Sequence, residues 1–497
     1  MKHVWAFDLG ASNGRLMVNS FNGKNMYLEE IHRFSNQPIQ LTGHYYWDVL
    51  RIYQEMKNGM GKSIQNGYKS VESLSIDTWG VDFGLLSREG ELIGNPYSYR
   101  DPHTNESIKK IAQKISKEEL FARTGVAPAP INTICQLVAI HERNPALLEH
   151  ADQLLLTPNL LSYFFTGIKA NEYTISTTTS LYNVHQKKWD NDLMAELNIP
   201  MNLMADIVKT GTILGPTLNS INKELGIYST QVIAGAGHDT ACALAALPIT
   251  SDSTAFMSCG TWILMGIQVK EPVISREALK WGFTNEGTAD GETRLLKNSM
   301  GLWLIQQCRS IWSKEGNRIT YEEELHSINH STAFKCLIDP DDPAFFNPSN
   351  MVNQLSEYCR QTEQQQPESI GDFLRCILES LSLKYRWVLE KLEQLTSKKI
   401  ELIHMGGGGI QNDLLCQFTA NATNRTVIAG PIEASSIGNA LSQWIALGEI
   451  KDLKEGREIV ANSFPLKIYE PQNQMEWQEA YERFIKLVKR GYLYENQ

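Results

Sequence analysis

The chain of 497 residues is too long for a single hydrophobic core, and its length predicts about two to four domains. Its net charge of −10 argues against nucleic acid or an anionic membrane as the main partner. Asp8 interrupts the N-terminus before a signal sequence can form, and no apolar run approaches the length of a membrane span. Eight dispersed cysteines without a C-x-x-C pair indicate reduced, buried thiols rather than a structural metal site. We therefore expect a cytoplasmic protein.

The first predicted element is a hairpin. Residues 4–7 and 16–18 are apolar runs typical of strands, and the turn DLGASNGR lies between them. We expect Gly10 and Gly14 to adopt positive φ and to let the backbone approach a ligand. Ser12 and the successive backbone N–H groups of the turn can then bind a phosphate. A tight turn without any ligand is the alternative, and the turn alone does not decide between them.

A second polar stretch follows a predicted strand at residues 74–76. It reads DTWGVDF, with Gly80 between the carboxylates of Asp77 and Asp82 and next to Trp79. Such residues suit a sugar-sized polar site with an aromatic wall. They equally suit a half-buried strand whose aspartates form hydrogen bonds in the adjoining turns. Both interpretations stay open at this point.

The following segments predict helices and connections. Apolar spacing predicts mainly helical structure through residues 105–165. Residues 171–179 are polar and rich in threonine, which indicates a loop rather than core. Residues 212–216 are interpreted as a connector that leads to the centre of the chain.

The centre of the chain carries the main candidate for chemistry. Residues 232–234 predict a buried strand, a Gly-Ala-Gly turn follows, and His238, Asp239 and Thr240 precede an alanine-rich helix. Ligands bind beyond the carboxyl ends of strands in open α/β sheets. A helix start also offers free N–H groups to an anion. Asp239 is therefore either a helix cap or a carboxylate that faces a ligand.

The second half of the chain repeats the pattern of the first. Apolar residues 255–257 and 263–265 flank the small-residue turn SCGTW, just as two apolar runs flank DLGASNGR. The repeat predicts a duplicated architecture with phosphate contacts from both halves. We divide the chain into an N-terminal domain, 1–245, and a C-terminal domain, 246–497.

Three later segments complete the prediction. Residues 298–306 predict a helix with a polar start, and residues 374–395 predict a long amphipathic helix that packs in the core. Four glycines at 406–409 follow a predicted strand. Successive glycines favour close approach of the backbone to a flat ligand such as a nucleotide.

Together these motifs resemble the FGGY family of carbohydrate kinases, in order and spacing, over residues 4–440. The motifs that carry the resemblance are DLGASNGR, IDTWGVDF, GHDTA, SCGTW, NSMGLW, GGGGIQN and GPIEASSIGNAL. The resemblance implies an α/β fold with two ribonuclease-H-like domains of the actin and hexokinase type and an interdomain cleft. It also implies ATP and Mg²⁺ as cofactors and transfer of phosphate to the C1 hydroxyl of a ketose. L-rhamnulose is the ketose that the motifs favour, with L-fuculose or L-xylulose as alternatives.

The resemblance further implies a role for individual residues. Asp239 would be the catalytic base. Residues expected to contact the ketose are Gly80, His238, Thr240 and Asn298. Residues expected to contact the nucleotide are Ala11, Ser12, Asn13, Gly14, Arg15, Thr261, Gln306, Gly408 and Gly409. Asn13 departs from the family, which usually has a second serine there. An actin-like ATPase and a catalytically inactive sugar sensor are the other classes considered, and a monomer or weak homodimer is expected.

Overall fold

The structure is a computed structural model that describes residues 1–494, with side chains described through residue 488. Its strands are Lys2–Leu9 (β1), Asn13–Phe21 (β2), Met26–Ser35 (β3), Ile39–Leu41 (β4), His44–Tyr46 (β5), Ser73–Thr78 (β6), Phe83–Leu86 (β7), Gln153–Leu156 (β8), Asn171–Glu172 (β9), Tyr182–Asn183 (β10), Lys188–Trp189 (β11), Ile207–Val208 (β12), Thr212–Pro216 (β13), Gln231–Ala234 (β14), Thr254–Cys259 (β15), Trp262–Val269 (β16), Thr284–Gly287 (β17), Thr293–Met300 (β18), Leu402–Gly406 (β19), Thr426–Ala429 (β20) and Lys467–Tyr469 (β21).

The helices agree with the predicted helical stretches at 105–165 and 374–395. They are Val49–Gln65 (α1), Ser107–Ala112 (α2), Lys117–Thr124 (α3), Thr133–Arg143 (α4), Pro145–His150 (α5), Thr157–Thr166 (α6), Tyr173–Ser176 (α7), Asn191–Glu196 (α8), Asn219–Leu225 (α9), Asp239–Ala246 (α10), Arg276–Lys280 (α11), Trp303–Lys314 (α12), Tyr321–His330 (α13), Met351–Gln361 (α14), Ile370–Thr396 (α15), Asp413–Thr423 (α16), Ala434–Ala446 (α17), Leu453–Ser463 (α18) and Gln474–Tyr494 (α19). In the described part of the chain, none of them combines the length and apolar character of a membrane span.

The chain forms two compact units, and neither is continuous in sequence. Unit 1 comprises Met1–Thr250, Gln268–Leu295 and Glu433–Pro465, and unit 2 comprises Ser251–Ile267, Leu296–Ile432 and Leu466–Gln497. Each unit is built around its own β-sheet. The division into domains 1–245 and 246–497 stays a prediction.

The sheet of unit 1 begins with the predicted hairpin. Strands β1, β2 and β3 are antiparallel, and β6 and β14 then add parallel to β1 in the order β13-β14-β6-β1-β2-β3. Parallel strands that are covered on both faces need continuous apolar runs, which the cores of β1 and β14 provide. Residues 212–216 are not a connector: they form the antiparallel edge strand β13.

The sheet of unit 2 repeats this arrangement. Strands β15 and β16 form an antiparallel hairpin, β19 pairs parallel to β15, and β20 pairs parallel to β19. The predicted duplication and the α/β fold class are thereby confirmed. The prediction of a helix over 298–306 is wrong in its first part, because β18 continues to Met300 and α12 begins only at Trp303. A Cβ on Gly301 would lie 2.8 Å from the Thr261 carbonyl oxygen, so this break requires glycine.

All eight cysteines are buried and carry free thiols. Within residues 1–494, one group of potential metal-ligating side chains comes together: the thiols of Cys336, Cys359 and Cys376, whose sulfur atoms lie within 4.8 Å of one another. Sequence spacing did not reveal this cluster because its three members are far apart in the chain. The prediction that the chain has no structural metal site stays a prediction.

Candidate functional site

The first phosphate-type turn lies at the tip of the β1–β2 hairpin, where Ser12 and Asn13 are exposed. The expectation of positive φ at Gly10 and Gly14 is wrong, because neither is among the glycines with that conformation. Gly14 is required for a different reason. A Cβ at this position would lie 2.4 Å from the Phe34 ring of β3, so the hairpin can pack on β3 only without a side chain.

The Arg15 guanidinium is held between two carboxylates of unit 1. It donates to Asp8, its cross-strand neighbour, at 2.6 Å, and it forms an ion pair with Glu433 at the start of α17. Asp8 also accepts a 2.8 Å hydrogen bond from Ser436 of α17. The Arg15 side chain is therefore occupied within the protein, and the exposed tip of the turn is the part that remains open to a phosphate.

Asp77 lies near the ion pairs of Arg15 with Asp8 and Glu433, at the carboxyl-terminal part of β6. It is fully buried and accepts a 2.7 Å hydrogen bond from Asn439, while its Oδ1 has no partner among the described residues. Burial raises the pKa of Asp77 well above its usual value, and the charge of Asp8 raises it further. Asp8 and Asp77 thus lie close together in unit 1, and among the described residues Arg15 is the cation that pairs with Asp8.

Asp82 has a structural role, and the aromatic wall suggested by DTWGVDF does not form. The Asp82 carboxylate accepts hydrogen bonds from Trp47, Trp79 and Gln136 at 2.6–2.8 Å. Burial raises the pKa of Asp82 to about 6, although these donors oppose the shift. Trp79 packs on Trp47 in the core at a centroid distance of 4.2 Å. Within this motif, Thr78 and Gly80 lie next to the candidate catalytic residues, whereas Trp79 and Asp82 belong to the core.

Gly80 borders the His238 ring. An ideal Cβ on Gly80 would lie 3.5 Å from His238 Nε2 and 3.4 Å from Thr178 Oγ1. The strand preceding Gly80 is tied to the central turn, because the Thr78 N–H donates to the Gly237 carbonyl at 2.9 Å. Gly80 and His238 thus border the same polar region beyond the carboxyl end of β6.

The turn before Asp239 is anchored by the buried carboxylate of Glu172. Glu172 accepts hydrogen bonds from the Gly237 N–H at 3.0 Å and from Thr174 Oγ1 at 2.7 Å. Thr174 Oγ1 in turn accepts from the His238 N–H at 3.2 Å. The prediction of a loop over 171–179 is therefore wrong. This segment can be buried because its hydroxyl groups donate to backbone carbonyl oxygens of the same segment, and Thr174 also accepts from the central turn.

Asp239 is the first residue of α10, and His238 occupies the N-cap position without a side-chain capping bond. The interpretation of Asp239 as a cap is thus wrong. Its Oδ1 accepts from Thr240 Oγ1 at 3.1 Å and lies 3.4 Å from His238 Nε2, while about a third of the side chain remains exposed. Burial raises the pKa of Asp239; His238 opposes this shift, and the Asp8 charge adds to it. A half-exposed carboxylate with a raised pKa can exchange a proton with a bound ligand.

Helix α10 is fixed by close packing on α17. A Cβ on Gly438 of α17 would lie 1.8 Å from the carbonyl oxygen of Cys242 in α10. The two helix backbones therefore meet at a position where no side chain fits. This contact holds Asp239 in place relative to the β1 sheet, since α17 also supplies the Ser436 and Asn439 contacts to that sheet.

In unit 2, the turn that contains Thr261 contacts the start of α12. The Trp303 N–H at the start of α12 donates to the Thr261 carbonyl at 3.3 Å, and the Leu302 N–H donates to the Gly260 carbonyl at 3.2 Å. Gln306 follows one turn later on α12 with an exposed side chain. The β15–β16 turn and the N-terminus of α12 thus form one surface.

The glycine run at 406–409 belongs to the same surface. Some of its glycines are required for close packing, which the sequence did not indicate. Gly407 has φ +89°, and a Cβ there would lie 2.9 Å from the Cys259 carbonyl oxygen. A Cβ on Gly409 would lie 2.8 Å from Cys259 Cβ. Gly408, in contrast, is exposed and faces open space. Two of the glycines therefore serve packing against β15, and Gly408 is the one that faces a possible ligand.

Unit 2 contains a cavity of about 410 Å³ that is lined by residues between Arg309 and Glu324. Tyr321, one of its lining residues, donates its hydroxyl to the Gln411 carbonyl just after the glycines. Trp312 and Ile319 provide apolar walls, and Arg309 and Glu324 form an ion pair at its side. Its volume is in the range of small-molecule sites.

The predicted site residues thus fall into two groups. Unit 1 brings together Gly80, His238, Asp239 and Thr240 and, near Asp8, the turn 11–15. Unit 2 brings together Thr261, Gln306, Gly408 and Gly409. Asn298 is exposed on β18 in unit 2. Sequence reasoning missed the buried residues Glu172, Thr178, Glu286 and Arg294, since no motif marks them.

Comparisons with known proteins agree with this architecture. Residues 3–246 match the N-terminal domain of the FGGY family of carbohydrate kinases, and residues 255–447 match the C-terminal domain. The chain belongs to this family. It is 41% identical to a protein of Bacteroides thetaiotaomicron named Rhamnulokinase, over 98% of this chain and 100% of that protein. A Rhamnulokinase of Enterococcus faecalis is also 41% identical, over 94% of this chain and 93% of that protein.

Solved structures support the fold. The ligand-bound xylulose kinase of Lactobacillus acidophilus superimposes with a TM-score of 0.82 at 16% identity, covering 99% of this chain and 98% of that one. The glycerol kinase of Plasmodium falciparum with ADP gives a TM-score of 0.81 at 14% identity, with the same coverage of both chains. At these identities the similarity establishes the two-domain fold alone.

The two neighbouring glycines, Gly408 and Gly409, should differ in their sensitivity to the same substitution. We expect Gly409→Ala to lower the free energy of unfolding by about 1–3 kcal/mol, because its methyl group would overlap Cys259. Gly408→Ala should change it by less than about 0.5 kcal/mol, because the methyl group enters open space. Urea denaturation of both variants provides the measurement. Equal losses of stability would contradict the packing assigned to this turn.

Proposed function

We propose that this protein phosphorylates L-rhamnulose at its C1 hydroxyl with ATP, giving L-rhamnulose 1-phosphate and ADP in L-rhamnose catabolism. The observation that carries the proposal is the half-exposed Asp239, held at the start of α10 next to His238 and Gly80. The choice of ketose is supported by the relatives named Rhamnulokinase, which share 41% identity over nearly the whole chain. We retain 1–245 as the sugar and phosphate side and 246–497 as the nucleotide side.

Asp239 acts as the general base. It accepts the proton of the C1 hydroxyl while the hydroxyl oxygen attacks the γ-phosphorus of ATP, and the bond to the β–γ bridging oxygen breaks to release ADP. Because Oδ1 already faces Thr240 and His238, we assign proton acceptance to Oδ2. The N–H groups at the start of α10 help hold the transferred phosphoryl group.

The sugar contacts follow from the surroundings of this base. Gly80 keeps the space beside His238 Nε2 free of a side chain, which leaves room for a ketose hydroxyl. His238 and Thr240 flank Asp239 and provide polar atoms for neighbouring hydroxyl groups. Asn298 is retained as a fourth contact on the basis of the family resemblance.

The nucleotide contacts divide between two turns. Residues 11–15 bind phosphate through the exposed tip of their turn, because the Arg15 side chain is occupied by Asp8 and Glu433. In unit 2, Thr261 contacts phosphate, and Gln306 and Gly408 border the rest of the nucleotide. Gly409, which packs on Cys259, is proposed to border it through its backbone. The cavity beside Tyr321 is of suitable size for the base.

The residues of unit 1 fit the Mg²⁺ that accompanies ATP in kinases. Mg²⁺ prefers oxygen ligands and keeps several waters. Asp77 Oδ1 is an unpartnered acceptor among the described residues, and Asp8 lies close enough to influence its pKa. We assign Asp8 to orienting a metal-bound water. Asp77 and Asp8 would hold the ion on the unit 1 side, and the ion would supply positive charge that offsets the charge of the ATP phosphates.

The main alternative is a kinase of the same family that acts on another ketose, such as L-fuculose or L-xylulose. An actin-like ATPase of no metabolic role is less well supported, because the polar surroundings of Asp239 suit a hydroxylated substrate. The protein is proposed to work in the cytoplasm as a monomer or weak homodimer, with small molecules as its partners.

A panel of ketoses tests the choice of substrate. ADP release should be fastest, in kcat/KM, with L-rhamnulose, because the site is assigned to that sugar. L-fuculose, L-xylulose and D-xylulose provide the comparison, and a reaction without sugar provides the background. A higher kcat/KM with another ketose would refute the assignment of L-rhamnulose, and sugar-independent ATPase activity would favour the actin-like alternative.

Asp239→Asn tests the base. The amide keeps the size of the side chain but cannot accept the hydroxyl proton, so we expect turnover to fall by roughly 100-fold or more. Sugar binding, measured by calorimetry, should persist within about threefold. Near-normal turnover of this variant would contradict the assignment of Asp239.

A further inference from the structure

A buried ion pair lies directly behind the His238 ring. Arg294 Nη2 lies 2.6 Å from His238 Nδ1 and donates at 2.6 Å to the Glu286 carboxylate. The Arg294 side chain is 0% exposed, and Glu286 is also buried. All four groups, including Asp239 on the opposite side of the ring, belong to unit 1.

This contact determines which nitrogen of His238 carries the proton. A guanidinium has only donors, so a nitrogen 2.6 Å away from it must offer a lone pair. His238 Nδ1 is therefore the acceptor, and the neutral ring carries its proton on Nε2. Nε2 is the atom that faces Asp239 Oδ1 at 3.4 Å and borders the space beside Gly80.

The geometry of Arg294 differs from that of ordinary ion pairs in this chain. Arg123 contacts Asp190 through both Nε and Nη2, and Arg309 contacts Glu324 in the same two-pronged manner. Arg294 instead uses Nη2 for both Glu286 and His238, and its buried Nε and Nη1 have no partner among the described residues. Leaving buried donors unpaired costs stability. A pair selected only for stability would adopt the two-pronged form.

Glu286 supplies the charge that keeps Arg294 in this position. Burial alone raises the pKa of Glu286, but the charge of the adjacent Arg294 guanidinium lowers it below its usual value. Glu286 therefore remains a carboxylate and cannot donate to His238. Its nearest oxygen lies 3.4 Å from His238 Nδ1, farther than the Arg294 nitrogen.

We infer that Arg294 and Glu286 are positioning residues that hold His238 as the Nε2–H tautomer. In that form the Nε2–H group lies on the Asp239 side of the ring, 3.4 Å from Oδ1, and Oδ2 accepts the proton of the sugar hydroxyl. Neither residue touches the reacting atoms. Only the catalytic consequence of this inference rests on the proposed function; the tautomer itself does not.

The direct test is nitrogen NMR of the full-length protein labelled with ¹⁵N-histidine, without substrates. The ring shifts of a histidine distinguish Nε2–H from Nδ1–H and from the charged ring. The chain has 11 histidines, and His238→Asn identifies the signal of His238 by its disappearance. We expect a neutral Nε2–H ring. A proton on Nδ1 in the wild-type protein would overturn the inference.

Variants link the tautomer to turnover. Arg294→Gln combined with Glu286→Gln removes both buried charges together, and we expect His238 to become a mixture of tautomers. With L-rhamnulose, kcat should fall on the order of 10- to 100-fold while KM for ATP stays within about twofold. The single variant Arg294→Lys, with Glu286 unchanged, keeps a cation that can only donate. It should therefore retain the Nε2–H tautomer and most of kcat.

A matched pair in unit 2 provides the control. Arg375 donates to the buried Glu379 at 2.7 Å, and both lie outside the assigned site. Arg375→Gln with Glu379→Gln should lower stability without changing the His238 signal or kcat. A folded Arg294/Glu286 variant that keeps the wild-type tautomer, or that loses no more kcat than this control, would overturn the inference. If no ketose is phosphorylated, the proposed function fails while the NMR result still decides the tautomer.

Discussion

The buried carboxylate of Glu172 is the contact on which the catalytic half of the site depends. By accepting the Gly237 N–H, it fixes the turn between β14 and α10, and through Thr174 it also fixes the His238 backbone. A carboxylate this deeply buried is tolerated only because several donors surround it. The direction in which Asp239 leaves the turn follows from this arrangement and from the close contact of α10 with α17.

Several acidic side chains of unit 1 lie close together, and few cations lie near them. Asp8 is paired with Arg15, Glu286 with Arg294, and Asp77 is left with an amide partner and a raised pKa. Burial raises the proton affinity of Asp239, and the charge of Asp8 adds to this effect, which suits a base. The same charges would repel ATP unless Mg²⁺ accompanied it, so the proposed chemistry and the electrostatics of the unit are consistent.

Local patterns in the sequence predicted the elements that carry the site, and long-range packing decided the rest. The hairpins and the strand before Asp239 follow from apolar runs and turns, which are local signals. The role of Gly14 depends on Phe34, and that of Gly409 depends on Cys259, so neither is visible without the fold. Residues 171–179 looked like a loop because their polarity is satisfied by hydrogen bonds inside the protein. Arg294 lies in no recognisable motif, because its contact with His238 joins residues that are far apart in the chain.

The central claim is that unit 1 directs Asp239 at one particular hydroxyl group of a ketose. The most direct measurement is NMR of the product formed from L-rhamnulose labelled with ¹³C at C1, with wild-type enzyme and ATP. The account predicts a single phosphorylated product in which the C1 signal is split by coupling to phosphorus. A product phosphorylated at another hydroxyl group, or a mixture of positions, would contradict it.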